Sequence, residues 1–286
     1  MFTCSIAGIP FRLDCDRPLE TLGLRGRFGP FAVAPMDGPG LTLTWQAGDP
    51  AAVPVGELLF DPGSIWRVYR RADGAAGWAV RIGYPSPDTA LRATLVTDAD
   101  WSTVTMVERL QAGPSLLTCG AGELLLRGRV LSHDGLVFHA AGLDDRGQGL
   151  LLVGHSGAGK STQCGLWEAA GAVAMNDDRV AARLLPGGPV IFGTPWGGTA
   201  EIARQHQAPL RAIIVIEQAL ENVLDPLPPA EAAALLLPRT FLPYWDAGLM
   251  ANATTQLHRL LDLVPIYRLA NRADAAVVDL VRSTLG

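Results

Sequence analysis

The chain has 286 residues, 49% of them hydrophobic and 18% charged, with a formal net charge of −5. That length suits one large or two ordinary domains with a substantial core, and the apolar composition excludes a disordered chain. The modest acidity argues against a nucleic-acid partner, whose footprint is a basic stripe. No apolar run reaches the length of a bilayer span, and the start, Met1-Phe2-Thr3-Cys4, lacks a basic leader followed by an apolar core. A cytoplasmic location with no membrane partner is therefore expected. Cys4, Cys15, Cys119 and Cys164 lie far apart without C-x-x-C spacing, which suggests neither a zinc site nor a disulfide framework.

Residues 1–118 read as β-rich. The runs 40–45, 65–70 and 78–82 are apolar or alternating and are broken by Gly, Pro and Asp turns. This region holds no cluster of His, Cys or carboxylates. The spacing of Leu124, Leu125, Arg127 and Val130 predicts an amphipathic helix over 120–131. Strands are expected at 136–142 and 149–153, a helix at 161–170, a strand at 172–176, and a hairpin from 180–185 and 190–192. A loop at 193–199, a buried strand at 211–216, helices near 229–237, 245–263 and 273–285, and a strand at 265–269 complete the chain.

The stretch Gly154-His155-Ser156-Gly157-Ala158-Gly159-Lys160-Ser161-Thr162 fits G-x-x-x-x-G-K-[ST] and follows the apolar run 149–153. It thus has the strand-then-helix context that a phosphate-binding loop requires. Glycines let successive backbone N–H groups turn inward as an anion cradle, and the helix behind them presents its N-terminus to the same phosphates. In that role Lys160 reaches the β/γ oxygens of ATP and the Ser161 hydroxyl takes one corner of a Mg²⁺ octahedron. Lys160 is also the only lysine among the 23 basic residues. A compact ammonium at a crowded phosphate is not replaced well by a planar guanidinium.

Asp177 and Asp178 end the strand at 172–176, at the edge of an α/β sheet where ligands gather. One carboxylate can hold Mg²⁺ with Ser161 while the other takes a proton from an incoming hydroxyl; a plain polar turn is the structural alternative. His139 lies inside an apolar strand, the usual setting of a satisfied core histidine. Its place just before the phosphate-loop strand also puts it within reach of the acid pair.

The run from His139 through Gly154–Ser161 to Asp177-Asp178 resembles the catalytic core of bacterial HPr kinase/phosphorylase, a serine kinase. The resemblance covers roughly residues 120–200, and the later part is similar to the small branch that includes lasso-peptide tailoring kinases. It implies a P-loop, phosphoenolpyruvate-carboxykinase-like kinase core with ATP and Mg²⁺. It further implies that His139 contacts Asp177, the general acid/base, and leaves Asp178 to the metal with Ser161. The chain lacks the arginine- and asparagine-bearing signature used for phosphorolysis and HPr capture. It also has no clear second metal-binding glutamate near the 190s, where Glu201 and Arg204 are the substitutes. Residues 1–118 do not resemble the parent's N-terminal domain, so HPr is not the expected acceptor.

The expected fold is α/β: a kinase core over 119–286 behind a β-rich region, 1–118, that helps recognise the acceptor. The expected reaction moves the γ-phosphoryl group of ATP to a hydroxyl, foremost the serine of a peptide or protein acceptor such as a ribosomal-peptide precursor. Homo-oligomerisation is left open. Two rivals stand beside it: a kinase of a small-molecule hydroxyl, and a nucleotide-gated peptide-binding module that transfers no phosphate. An intact acid pair favours the enzyme, because a pure binder has no need of a base beside its metal ligand.

Overall fold

A computed structural model describes residues 1–83, 91–111 and 113–286. The fold is mixed α/β, with two large sheets and several helices, and the chain divides into two compact units. No helix among the described residues is long and apolar enough to cross a membrane.

The first unit comprises Met1–Ser132 with Pro243–Met250. Its strands are β1 (Phe2–Ile6), β2 (Ile9–Cys15), β3 (Leu41–Ala47), β4 (Val55–Phe60), β5 (Trp66–Arg71), β6 (Trp78–Ile82), β7 (Ala93–Thr97) and β8 (Thr103–Glu108). They lie in the order β1-β2-β3-β8-β7-β6-β5-β4. The β-rich expectation for this region therefore holds, and the runs at 40–45, 65–70 and 78–82 coincide with β3, β5 and β6. Strand β3 alternates buried and part-buried residues over Leu41–Trp45, as a sheet with one covered face requires. A short helix α1 (Leu24–Phe28) and the longer α2 (Gly120–Leu131) accompany the sheet.

Helix α2 groups with this unit, so the division falls after Ser132 where the sequence suggested 118/119. The reason is a ring packed onto a backbone: a β-carbon on Gly128 would lie 2.2 Å from the Trp101 ring, which is wholly buried. Trp245 brings Pro243–Met250 into the same unit, its ring meeting Trp66 edge-on at 5.6 Å. Aromatic pairs of this kind contribute about 0.5–1.5 kcal/mol each beyond their area.

The second unit, His133–Leu242 with Ala251–Gly286, carries the motifs. Its strands are β9 (Gly135–Asp145), β10 (Gln148–Val153), β11 (Val173–Asn176), β12 (Arg179–Leu185), β13 (Gly188–Gly193), β14 (Gln207–Gln218), β15 (Val223–Pro226) and β16 (Ile266–Asn271). The helices are α3 (Lys160–Ala169), α4 (Pro229–Leu236), α5 (Ala247–Leu263, which begins in the first unit) and α6 (Ala276–Leu285). The expected elements are present with ends shifted by a few residues, and β15 was not foreseen. Its four residues, largely exposed, are too few to show a period.

Two long strands organise this unit. Residues 135–139 of β9 pair with β12, whereas 140–145 pair with β10. Likewise β14 pairs with β13 over 207–209, then runs parallel to β10 and β16. The ladder β9-β12-β13-β14-β10 thereby closes into a ring. Parallel strands need both faces covered, and α3 and α6 supply one cover. Trp167 and Cys164 of α3 and Val277, Val278 and Val281 of α6 share a core with Leu150, Leu152, Ile214 and Ile216. Each such buried side chain contributes about 1.5–3 kcal/mol.

The pairings also gather the chain ends that matter. Val153 pairs with Ala140, so His139 and Gly154 emerge at the same edge. There β10 and β11 lead into Gly154 and Asp177, and β14 and β16 end in Gln218 and Asn271, the carboxyl edge of an α/β sheet where ligands bind.

Candidate functional site

Strand β10 is buried from Gly149 to Val153, and the chain leaves it through a turn that only glycine tolerates at its close. Gly159 takes φ 100° and forms the N-cap of α3, a conformation in which a β-carbon is strained. Lys160 follows and is buried, with 8% of its surface exposed. Its Nζ lies 3.0 Å from the Gly154 carbonyl, 3.3 Å from the His155 carbonyl and 3.1 Å from His139 Nε2. Burial pushes its pKa below the ordinary lysine value. Nearby Arg239 and Arg179 push the same way, while Asp178 and Asp177 oppose them.

His139 joins the lysine to the acid pair. Its Nδ1 lies 2.8 Å from Asp178 Oδ1, and Arg179 bonds the other Asp178 oxygen while resting over the Phe241 ring at 5.0 Å. Burial alone pushes the Asp178 carboxyl up. The bond from His139 and the charges of Arg179 and Lys160 outweigh that, so the net shift is downward. The result is a continuous path Asp178–His139–Lys160 beside the glycine-rich loop.

This arrangement corrects the sides given to the two aspartates. The resemblance implied that Asp177 faces His139 and Asp178 the metal; His139 instead meets Asp178, and Asp177 stands beside Ser161. Asp177 Oδ2 lies 3.4 Å from Ser161 Oγ, and its carboxylate accepts the N–H of Gly198 at 2.7 Å and of Ala200 at 2.9 Å. Adjacent side chains leaving a strand point to opposite sides, and this pairing register turns the first towards α3 and the second towards β9.

Ser161 Oγ also lies 3.4 Å from Thr199 Oγ1. Hydroxyl and carboxylate oxygens are the donors Mg²⁺ prefers when phosphates and water complete its shell, so Ser161 and Asp177 fit the ion better than Ser161 and Asp178. No group of three or more His, Cys, Asp or Glu suited to a metal occurs among the described residues. An Mg²⁺ site of one carboxylate and one hydroxyl does not need such a group.

These residues line a cleft of about 690 Å³ formed by His139, Ser156, Gly157, Gly159–Thr162, Asp177, Asp178, Gly198, Thr199 and Gln218. Volumes of this order accept a nucleotide-sized ligand. Of the expected loop residues, Gly154, His155 and Ala158 shape the turn without lining the cleft: His155 accepts from the Ala158 N–H at 3.1 Å, and its own ring bonds the Ser156 carbonyl.

Glu201 and Arg204 are not brought to the site. Arg204 is bound to Glu168 and to the Ala174 carbonyl, and Glu201 is exposed on a turn with φ 53°. An arginine engaged with α3 and the β11 backbone, and a glutamate outside the cleft lining, do not substitute for a second metal ligand.

Sequence reading missed Asn176, Gly198, Thr199 and Gln218. Gln218 Nε2 donates to the Gly157 carbonyl at 2.8 Å, holding the glycine-rich loop from the end of β14. A polar residue ending an apolar strand next to the loop strand was the available signal for Gln218. Gly198 and Thr199 lay in a stretch whose only mark was its glycines. Compared with known proteins, the chain matches no family model and no curated protein sequence.

Proposed function

We propose that this chain is an ATP-dependent kinase whose second unit is a P-loop, phosphoenolpyruvate-carboxykinase-like core acting in the cytoplasm on a hydroxyl. The observation that carries the reading is the path Asp178–His139–Lys160 meeting the Ser161–Asp177 pair in one cleft. A phosphate site alone needs no carboxylate held by a histidine within reach of its lysine.

Bound Mg²⁺ would neutralise charge on the β- and γ-phosphates; Ser161 and Asp177 are the residues that would hold it. Lys160, freed from the loop carbonyls, would turn to the phosphate oxygens. Asp178 would accept the proton of the acceptor hydroxyl as the new O–P bond forms and the bond to the ADP oxygen breaks, with His139 holding that carboxylate in place. The choice of serine in a peptide or protein rests on the HPr-kinase resemblance.

The test is calorimetric ATP affinity with and without Mg²⁺, beside transfer of labelled γ-phosphate to a library of serine-containing peptides. The reading expects Mg²⁺-dependent binding and labelled phosphoserine that disappears in Asp178→Asn. Absence of any nucleotide binding at millimolar ATP would overturn it.

One observation favours a second reading, the nucleotide-gated binding module. Asp178 is already engaged by Arg179 and His139 and holds protons weakly, as suits a group that orients. Full ATP–Mg²⁺ binding with no transfer to any hydroxyl, peptide or small molecule, is its signature.

A further inference from the structure

We infer that Asn176 is a positioning residue that clamps the two sides of the candidate site into one rigid unit. Asn176 ends β11 and has no exposed surface. Its Oδ1 accepts the N–H of Asp178 at 2.8 Å and of Arg179 at 2.6 Å. Its Nδ2 donates to the Thr194 carbonyl at 3.0 Å and the Trp196 carbonyl at 3.1 Å. One side-chain amide therefore fixes the turn that carries the acid pair and also the segment that follows β13.

That segment supplies Gly198 and Ala200, whose N–H groups hold Asp177, and Thr199, which meets Ser161. Thr194 returns the link, its buried hydroxyl donating to the Arg179 carbonyl at 2.7 Å. The metal-side aspartate and the base-side aspartate are adjacent in sequence yet face different partners. The Asn176 amide bonds the backbone of both segments at once, and so helps set their relative placement. A carboxylate in its place cannot donate, and an aliphatic residue can neither donate nor accept. Leaving several buried backbone groups unpaired is costly, so the turn would relax away from the geometry in which Asp178 faces His139.

The inference rests on the kinase reading for its catalytic consequence, but its structural half does not. In Asn176→Ala, hydrogen exchange resolved at the amides of Asp178, Arg179, Gly198 and Ala200 should quicken at least tenfold, while the β10 amides keep their protection. ATP affinity without Mg²⁺ should stay within about twofold, Mg²⁺-dependent affinity should fall about tenfold or more, and phosphate transfer should fall further still. Placed in Asp178→Asn and read at saturating ATP–Mg²⁺, the same substitution should cost little additional turnover, because what it does beyond metal binding acts through the Asp178 carboxylate; a merely structural residue would give independent, multiplying losses.

Should Asn176→Ala fail to fold, Asn176→Asp serves instead. It keeps the acceptor for Asp178 and Arg179 and loses the donor, so exchange should quicken at Gly198 and Ala200 only. Unchanged exchange at all four amides, or quickened exchange with Mg²⁺-dependent ATP affinity intact, overturns the inference. A parent protein that binds ATP–Mg²⁺ but transfers nothing overturns the kinase reading instead, and leaves the exchange and Mg²⁺ arms to decide the role of Asn176.

Discussion

His139 Nδ1 lies 2.8 Å from Asp178 Oδ1, while the other nitrogen of the same ring lies 3.1 Å from Lys160 Nζ. In the neutral tautomer that accepts from the ammonium at Nε2, the ring proton sits on Nδ1 and faces the carboxylate, with Arg179 Nη1 3.0 Å from the same nitrogen. The histidine thus bridges Lys160 and Asp178.

The two aspartates should separate cleanly by substitution. Asp178→Asn should lower phosphate transfer by roughly 10²–10⁴, the scale of lost general acid–base catalysis, with ATP–Mg²⁺ affinity little changed. Asp177→Asn should weaken Mg²⁺-dependent affinity, because it removes the charge beside Ser161 and turns an amide N–H₂ towards the N–H of Gly198 or Ala200. Calorimetry and transfer assays on both variants decide it; the opposite pattern would restore the sides implied by the resemblance.

Lys160 should leave a mark on the pH dependence of stability. Its folded pKa lies below 10.5 because of burial, so between that lowered value and 10.5 the unfolded chain binds more protons than the folded one. Stability then rises with pH through that window, since the cost of burying the charge is present below it and is relieved on deprotonation. Thermal melts at increasing alkaline pH should show the parent gaining on Lys160→Met; parallel curves would count against a desolvated ammonium.

Gly198 and Arg204 provide a paired test of the cleft boundary. A β-carbon at Gly198 would lie 2.8 Å from Asp177 Oδ2 and 2.8 Å from Asp178 Cβ. Gly198→Ala should therefore cost about tenfold or more in Mg²⁺-dependent nucleotide affinity, while Gly187→Ala, with no atom within 4 Å of its new carbon, should cost nothing. Arg204→Gln should leave that affinity within about twofold, because its guanidinium is bound to Glu168 away from the cleft. Nucleotide titrations of the three variants read the result.

Glu108 should be the costliest carboxylate to remove from the first unit. Only 1% exposed, it accepts Trp45 Nε1 at 2.8 Å, the Ser115 hydroxyl and the Leu116 N–H at 2.8 Å. Glu108→Ala strands these donors in the core and should destabilise by about 3 kcal/mol or more, measured by urea denaturation. A loss below about 1 kcal/mol would mean that water replaces the carboxylate.

The sequence alone determined the features governed by neighbouring residues. The apolar run at 149–153, the glycines behind it and the helix formers after Lys160 specify strand, loop and helix by local backbone physics, and β10 and α3 appear where those rules place them. The β-rich character of the first region and the hairpin of β12 and β13 were legible for the same reason. Only the tertiary structure decided which aspartate meets which partner. The N–H groups that hold Asp177 come from Gly198 and Ala200, 21 and 23 residues away, and the ring that holds Asp178 comes from His139, on a strand paired through β12. Asn176 gave no sign of its place for a related reason: an asparagine at a strand end reads as turn chemistry until the carbonyls of Thr194 and Trp196 are brought against it. Glu201 and Arg204 had suitable chemistry but were turned away from the cleft, because a pattern of residue types does not record the direction in which each backbone position points its side chain.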